Sequence, residues 1–111
     1  MTSAPRRSEV WLPDLDKARP VIVLTRDPIG KYLNAVTIVP VTSTVRGVST
    51  EVPLGFDDDI RRPSVANLDN IQLLARERLR RRVGRVRPAT MVALCKALSI
   101  AVDCDSARSE N

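Results

Sequence analysis

Two short polar segments stand at the ends of β-branched runs and could together act on a phosphate group. Arg19 comes immediately before the run at residues 20–24, and Thr42 opens the polar segment 42–44 that follows the run at residues 35–41. A guanidinium beside hydroxyl groups is a cluster of hydrogen-bond donors suited to phosphate oxygens, if both segments project onto one side of a small barrel. The alternative is that Arg19 is an ordinary surface residue and that residues 42–44 form a turn.

The composition of the chain excludes several kinds of catalytic and binding site. The 111 residues contain no histidine, and the only aromatic residues are Trp11, Tyr32 and Phe56. Without histidine there is no Ser-His-Asp or Cys-His machinery and no histidine-based zinc site. Three aromatic rings are also too few for a base-stacking sheet of the RNA-recognition type. Chemistry must therefore come from Arg, Asp/Glu, Ser/Thr, Tyr, Cys or backbone groups.

The two cysteines, Cys95 and Cys104, are expected to be unpaired. If they share one helix, their spacing puts them about 13 Å apart along its axis, which is beyond the reach of a disulfide. We expect Cys95 to be a small buried hydrophobic side chain and Cys104 to have no special role. Two lone thiols do not predict a metal site.

Positive charge is concentrated in one segment. The net charge is +5, yet residues 76–87 alone carry seven arginines, at positions 76, 78, 80, 81, 82, 85 and 87, and one acid, Glu77. The rest of the chain is therefore slightly acidic. Guanidinium groups match phosphate geometry, so one interpretation is a polyanion-binding face with salt-dependent affinity. The other is a solvated edge strand whose arginines prevent strand-to-strand aggregation.

The elements that must position these residues are predicted to be six or seven short strands. The clearest cover residues 9–12, 20–24, 35–41, 49–54, 64–71 and 82–86. The run 20–24 is typical of a central strand buried on both faces, and Pro40 predicts a bulge or an edge near the end of its strand. Residues 57–59, all Asp, predict a polar loop or a single helical turn.

One amphipathic helix follows the strands. Its predicted apolar face consists of Met91, Leu94, Cys95, Leu98 and Val102, with Pro88 in the first turn. The predicted fold is therefore mainly β, a small, strongly bent antiparallel sheet or barrel with an amphipathic C-terminal helix packed on it.

The predicted organisation is a single domain over residues 8–104, preceded by a flexible N-terminal arm over 1–7 and followed by a polar tail over 105–111. No apolar stretch is long enough to span a bilayer, and the N-terminus lacks the pattern of a signal peptide. We therefore predict a cytoplasmic location and no membrane partner.

An ordered set of segments resembles the MazF/PemK family of toxin endoribonucleases. The segments are residues 9–12 with 14–15, 19–24, 39–44, 50–55, 64–71 and 82–86 before the terminal helix, and the resemblance covers about residues 8–103. It implies an SH3-like barrel, a homodimer, and cleavage of single-stranded RNA at specific sequences without a metal or other cofactor. The RNA's own 2′-hydroxyl would attack, leaving a 2′,3′-cyclic phosphate and a 5′-hydroxyl. The implied protein partner is an antitoxin whose acidic, flexible segment occupies the RNA groove.

The resemblance also implies residue roles. Arg19 corresponds to the catalytic arginine and Thr42 to the catalytic threonine, while Asp69 lies where some members place an acidic residue for RNA binding or proton transfer. Because arginine is a poor general base, we assign Arg19 to electrostatic stabilisation and acid work. Asp69 is then the candidate for the base, which the resemblance does not name. The residues implied in RNA binding are Ser43, Thr44, Asn67 and Gln72.

The chain departs from the family pattern in two places. Gln72 stands where relatives often carry a basic residue, and Arg76 and Arg78 are the candidates for a compensating contact with phosphate or antitoxin. The connection at residues 13–18 is shorter than the glycine-rich loop of many relatives.

Two other functions remain open at this point. One is a non-catalytic toxin of the same fold that binds nucleic acid or a protein, as gyrase poisons of related fold do. Arg19 and Thr42 argue against it. The other is a structural domain, which should show no salt-dependent affinity for RNA.

Overall fold

The structure is a computed structural model that describes residues 4–13, 19–27 and 33–103. Within these ranges the chain forms seven strands and one helix, which are β1 (Glu9–Pro13), β2 (Val21–Val23), β3 (Ala35–Thr42), β4 (Glu51–Leu54), β5 (Ser64–Asn67), β6 (Gln72–Ala75), β7 (Leu79–Arg85) and α1 (Pro88–Ala101). Short 3₁₀ turns at Phe56–Asp58, Leu68–Asn70 and Arg76–Arg78 connect the later strands. The predicted mainly β fold with a C-terminal helix is confirmed.

All described strand pairs are antiparallel, in the order β4-β5-β3-β2-β1-β7, and β6 pairs with β3 beside β5. The outer strands β4 and β7 are not paired with each other in the described part of the chain, so the sheet is open. Of the two predicted forms, the structure therefore shows the sheet and not a closed barrel.

The β-branched run of β2 is buried on both faces, as predicted. Ile22 belongs to the core beneath α1, whereas Val21 and Val23 belong to a second core on the opposite face with Trp11. Successive side chains of a strand point to opposite faces, so three consecutive apolar residues can serve two cores.

Pro40 lies inside β3, where the neighbouring strand changes. Ile38 pairs with Gln72 of β6, and Val41 pairs with Ala66 of β5. The N–H of Val41 donates to Pro20 on the β2 side, so the backbone nitrogen of Pro40 faces the opposite side, between β6 and β5. No ladder bond is lost there, which agrees with the local edge that proline predicts.

Helix α1 begins with Pro88 at its first turn and packs on β4 and on the turn Leu68–Asn70. Its buried residues are Thr90, Met91, Leu94 and Ala97. The prediction that Cys95 is buried is wrong: Cys95 is exposed, and Val102 is 54% exposed. The buried face is centred on Leu94 and Ala97, so the 100° rotation per residue turns Cys95 away from the sheet.

Three strand limits differ from prediction by two residues or more. The strand predicted over residues 64–71 ends at Asn67, because the Asn67 side chain accepts a hydrogen bond from the backbone of Asp69 and starts a 3₁₀ turn. The strand β6 was not predicted, and β7 begins at Leu79 and not at residue 82. The strand predicted from residue 49 begins at Glu51.

Some predictions fall outside the described residues, namely those for Cys104, for the tail at 105–111 and for residues 14–18 of the short connection. Of the predicted arm, Arg6 donates its backbone N–H to Glu9, and the guanidinium of Arg7 donates to the carbonyl of Leu24 and to Sγ of Cys95. The domain limits stay a prediction. No helix among the described residues is long and apolar enough to cross a membrane.

Candidate functional site

The antiparallel pairing of β2 and β3 brings Arg19 and Thr42 to the same end of the sheet. Val21 lies opposite Pro40, and the N–H of Val41 donates to the carbonyl of Pro20 at 2.9 Å. Continuing this register by one residue places Arg19 opposite Thr42, at the spacing of a cross-strand pair. The two segments that the sequence singled out therefore do project onto one site.

Two grooves meet at this pair. The first, here called the amide groove, has a volume of about 390 Å³ and is lined by Asn67, Asn70, Gln72, Thr44 and Arg46 together with Arg19, Thr42 and strand residues. The second, here called the arginine groove, has a volume of about 600 Å³ and is lined by Arg61, Arg62, Arg81, Ser43, Ser64 and Asp59 among others, again with Arg19 and Thr42. A ligand at Arg19 and Thr42 can therefore extend in two directions.

The Thr42 side chain is arranged as a hydrogen-bond donor. Its Oγ1 accepts the backbone N–H of Thr44 at 3.1 Å, which leaves the hydroxyl proton free to donate. Among the described residues it has no acceptor for that proton. A phosphoryl oxygen beside Arg19 would supply one.

Asn67 presents an amide to the amide groove from a buried position. Its side chain is oriented because Oδ1 accepts the backbone N–H of Asp69 at 2.9 Å, leaving the amide N–H groups for a ligand. Asn70 and Gln72 follow on the 3₁₀ turn and on β6, and both are exposed. Side chains of this type can both donate to and accept from the edge of a nucleobase.

Asp69 lies next to the amide groove but lines neither groove. Its Oδ2 accepts the hydroxyl of the buried Thr50 at 2.7 Å, and the N–H of Leu68 donates to the carbonyl of Thr50. In this arrangement the carboxylate anchors the turn that carries Asn67 and Asn70. Arg76 and Arg78 lie on the 3₁₀ turn after β6 and also line neither groove.

The loop that carries Arg46 is closed by one carboxylate. The backbone N–H groups of Arg46, Gly47 and Val48 converge on Glu51, with Gly47 in the left-handed region at φ +73°. The hydrogen bond from Arg46 is the main reason that the pKa of Glu51 is lowered. Together with the hydrogen bonds from Gly47 and Val48 and the charge of Arg46, it outweighs desolvation. Arg46 is thereby positioned at the edge of the amide groove.

The loop that carries Arg61 and Arg62 is fixed by Asp58, which is 1% exposed. Asp58 Oδ1 accepts the backbone N–H of Arg87 at 2.9 Å and the hydroxyl of Thr90 at 2.7 Å, and the guanidinium of Arg87 approaches both carboxylate oxygens. Burial alone would raise the pKa of Asp58, but these hydrogen bonds outweigh it and lower the pKa. The same pairing raises the pKa of Arg87.

The arginines of residues 76–87 have different surroundings: some pair with buried carboxylates, and one lines a groove. Arg82 and Arg85 contact the buried carboxylate of Glu9 at 3.0 and 3.6 Å, while Arg87 is bound to Asp58. Arg81 alone among the run lines a described groove. Pairing of Arg82, Arg85 and Arg87 with carboxylates is a role that neither interpretation included. The polyanion-binding face and the edge strand that prevents aggregation both stay predictions.

Sequence reasoning missed six polar groove residues: Arg46, Asp59, Arg61, Arg62, Ser64 and Asn70. A usable signal existed only for the Arg61-Arg62 pair, which stands between an acidic segment and Pro63. Among the described residues no cluster of three or more histidine, cysteine or carboxylate side chains could hold a metal ion.

The chain is similar to known proteins in sequence and in fold. Residues 6–102 match the family model of the PemK-like, MazF-like toxin of type II toxin-antitoxin systems. The chain is 40% identical to endoribonuclease MazF3 of Mycobacterium tuberculosis over 96 residues, covering 86% of this chain and 93% of the relative. It is similar in structure to the Mycobacterium tuberculosis toxin MazF-mt6, with a TM-score of 0.82 and 39% identity over 87% of this chain and 98% of that one.

A further solved relative carries information on assembly. It is an endoribonuclease from a mycobacterial species in complex with its cognate antitoxin, with a TM-score of 0.84 and 31% identity over 92% of this chain and 98% of that chain.

Proposed function

The chain belongs to the PemK-like, MazF-like toxin family of type II toxin-antitoxin systems, and from this premise we propose that it is an endoribonuclease that cleaves single-stranded RNA. The observation that carries the proposal is the placement of Arg19 opposite Thr42, where the amide groove and the arginine groove meet. A phosphodiester at this point has donors on both sides and room for the strand in two directions.

The proposed reaction is a metal-independent internal transfer. The 2′-oxygen of the nucleotide attacks the adjacent phosphorus, the bond from phosphorus to the 5′-oxygen breaks, and the products are a 2′,3′-cyclic phosphate and a 5′-hydroxyl. The 2′-proton leaves to a base and the 5′-oxygen gains a proton.

Arg19 and Thr42 are proposed to stabilise the charge that develops on the phosphoryl oxygens. Arg19 is protonated before the reaction, so it supplies positive charge and hydrogen-bond donors. It can also pass a proton to the leaving 5′-alkoxide, because an alkoxide is a stronger base than a neutral guanidine group. Asp69 remains the proposed group for proton transfer. Its hydrogen bond to Thr50 must open for that role.

Ser43, Thr44, Asn67 and Gln72 are proposed to bind RNA. The support is that the first lines the arginine groove and the other three line the amide groove. Arg76 and Arg78 are proposed for more distant contacts with phosphate or antitoxin, since they line neither groove.

We also propose a homodimer neutralised by a cognate antitoxin in the cytoplasm. The mycobacterial relative was solved with its cognate antitoxin. Large apolar side chains are exposed in this chain, including Phe56 at 78%, Leu73 at 73% and Val92 at 70%, and a second copy could cover such surface.

The test is cleavage of a long RNA in buffer with EDTA, followed by mapping of 5′-hydroxyl ends. We expect wild-type protein to generate discrete ends, and Arg19→Ala and Thr42→Ala each to lower the cleavage rate by about 100-fold or more. The controls are Arg26→Ala, which removes a guanidinium, and Ser99→Ala, which removes a hydroxyl. Both residues are exposed and lie outside both grooves, so both variants should cleave at the wild-type rate.

Circular dichroism should show that all four variants are folded. Cleavage by Arg19→Ala at the wild-type rate would refute the site assignment. RNA binding by wild type without new ends would favour the non-catalytic toxin of the same fold.

A further inference from the structure

The two grooves that meet at Arg19 and Thr42 differ in the groups they offer to a ligand. Apart from this shared pair, the amide groove offers mainly uncharged carboxamides and hydroxyls, with the single cation Arg46. The arginine groove offers the three guanidinium groups of Arg61, Arg62 and Arg81 against one carboxylate, Asp59. One strand of RNA lying across the site would therefore meet two chemically different surfaces.

The positive charge of the arginine groove is only partly offset from within the protein, because three guanidinium groups face one carboxylate. Among the described residues the guanidinium groups of Arg61, Arg62 and Arg81 have no ion pair or hydrogen bond, and all three residues are exposed. The one acid present, Asp59, is already engaged, because its Oδ2 accepts the backbone N–H of Arg85 at 2.8 Å. Clustered like charges of this kind favour an anionic ligand.

The backbone that presents these arginines is fixed before any ligand arrives. Asp58 binds the start of α1, and Ile60 is buried at 4% exposure, immediately before Arg61. On the other side, Gly84 of β7 lies so close to Asp59 that a Cβ atom at Gly84 would overlap the aspartate side chain. Binding therefore requires ordering of three side chains only, and not of the loop.

We propose that the arginine groove is a phosphate-binding subsite that holds the RNA backbone on one flank of the scissile phosphate without reading its bases. The inference rests on the proposed function. Guanidinium groups match phosphate oxygens in a bidentate geometry, and contacts to phosphates position a strand while contacts to base edges specify its sequence. Sequence reading is thereby left to the amide groove on the opposite flank.

The experiment measures binding and cleavage separately with the variant Arg61→Gln/Arg62→Gln. The control is Arg6→Gln/Arg26→Gln, which removes the same charge from exposed arginines that line neither groove. Binding uses a fluorescent single-stranded DNA of mixed sequence, which lacks the attacking 2′-hydroxyl, titrated over a range of salt concentrations. A glutamate-rich peptide is titrated in parallel. Cleavage uses the mapped ends of a long RNA.

For Arg61→Gln/Arg62→Gln we expect about 10- to 100-fold weaker binding at low salt. The slope of log affinity against log salt should fall by about 1.4, because each lost phosphate contact of a single strand contributes about 0.7. The set of cleaved sequences should be unchanged. The control variant should keep the wild-type slope, and Gln72→Ala should instead alter the cleaved sequences.

Three results would overturn the subsite. The first is a salt slope for Arg61→Gln/Arg62→Gln equal to that of the control variant. The second is a changed set of cleaved sequences for Arg61→Gln/Arg62→Gln. The third is that this variant loses binding of a glutamate-rich peptide but keeps its affinity for nucleic acid. The last would assign the groove to an acidic protein segment. If wild type yields no RNA ends but the slopes differ as expected, the proposed nuclease fails and the phosphate subsite stands.

Discussion

The arginines of this protein fall into two groups that differ in what faces their guanidinium groups. Arg82, Arg85 and Arg87 contact carboxylates that are themselves buried, Glu9 at 4% and Asp58 at 1% exposure. Arg61 and Arg81 instead face a groove and have no carboxylate partner among the described residues. Formal charge alone does not distinguish the groups.

Strand geometry explains how neighbours in sequence join different groups. Arg81 and Arg82 are consecutive in β7, and successive side chains of a strand point to opposite faces. One face turns Arg82 toward Glu9 of the adjacent β1, and the other turns Arg81 and Val83 toward the groove. The arginines that pair with buried carboxylates should therefore contribute to the stability of the fold. The arginines that face the groove should instead contribute to affinity for an anion.

The largest expected effect is on stability, from Asp58→Ala. The change leaves the hydroxyl of Thr90, which is 4% exposed, and the backbone N–H of Arg87 without their acceptor. We expect a loss of about 3 kcal/mol in the free energy of unfolding. Urea denaturation followed by circular dichroism measures it.

The matched change in the second group is Arg61→Ala, which removes an exposed side chain with no described partner. It should alter the free energy of unfolding by no more than about 0.5 kcal/mol. Equal losses for Asp58→Ala and Arg61→Ala would remove the distinction between the two groups.

A smaller effect is expected from Glu9→Gln. The amide keeps an oxygen that can accept from Trp11 Nε1, now 3.1 Å away, but loses the charge that faces Arg82 and Arg85. Because both arginines are more than half exposed and regain water, we expect a loss of about 1–2 kcal/mol in the free energy of unfolding. Thermal and urea denaturation measure it.

Glu77→Gln is the control, since it makes the same chemical change in the exposed turn after β6. It should leave the free energy of unfolding within about 0.5 kcal/mol of wild type. A Glu9→Gln protein as stable as this control would show that Glu9 contributes nothing through its charge.

Local pattern was sufficient to predict the elements that bury apolar side chains. The run at β2 is β-branched throughout, which predicts a buried strand. The helix has proline at its start and an apolar face, so its composition and its helical period predict the same element. The strand predicted over 64–71 was wrong at its end, because the side chain of Asn67 captures a backbone N–H and the apolar alternation continues into the turn. The predicted burial of Cys95 was wrong because a rotation of one residue separates it from Leu94.

Tertiary placement of charges could not be predicted from the sequence. Asp58 stands between two other aspartates in a segment whose composition is typical of a polar loop, yet it is buried and bound by Arg87 and Thr90 at the start of α1. Arg19 and Thr42 could be proposed because each flanks a clear strand. Arg46, Arg61 and Arg62 lie in loops whose course depends on Glu51 and Asp58. The adjacent pair Arg61-Arg62 is a local signal of charge, but it does not indicate the groove that the two residues line.

The smallest expected effect is a change in the acid dependence of stability. Burial acts to raise the pKa of Asp58 from its ordinary 3.8, but hydrogen bonds from Arg87 and Thr90 outweigh burial and lower the pKa in the folded protein. Ionised Asp58 thus contributes fully to stability above about pH 4, and this contribution is lost as the pH falls through the folded pKa. Between the folded and unfolded pKa values the unfolded chain binds more protons, so acidification favours unfolding.

Asp58→Asn replaces the carboxylate with an amide that does not titrate, so position 58 no longer contributes to the pH dependence of stability. We expect the variant to be less stable than wild type at pH 7 but to lose less further stability between about pH 5 and pH 3, measured by urea denaturation at each pH. Glu51→Gln should also lose less free energy of unfolding on acidification than wild type does, since the pKa of Glu51 is lowered too. Parallel curves for wild type and Asp58→Asn would contradict the assignment of Asp58 as an ionised anchor, and with it the contrast between arginines that stabilise the fold and arginines that remain available to a ligand.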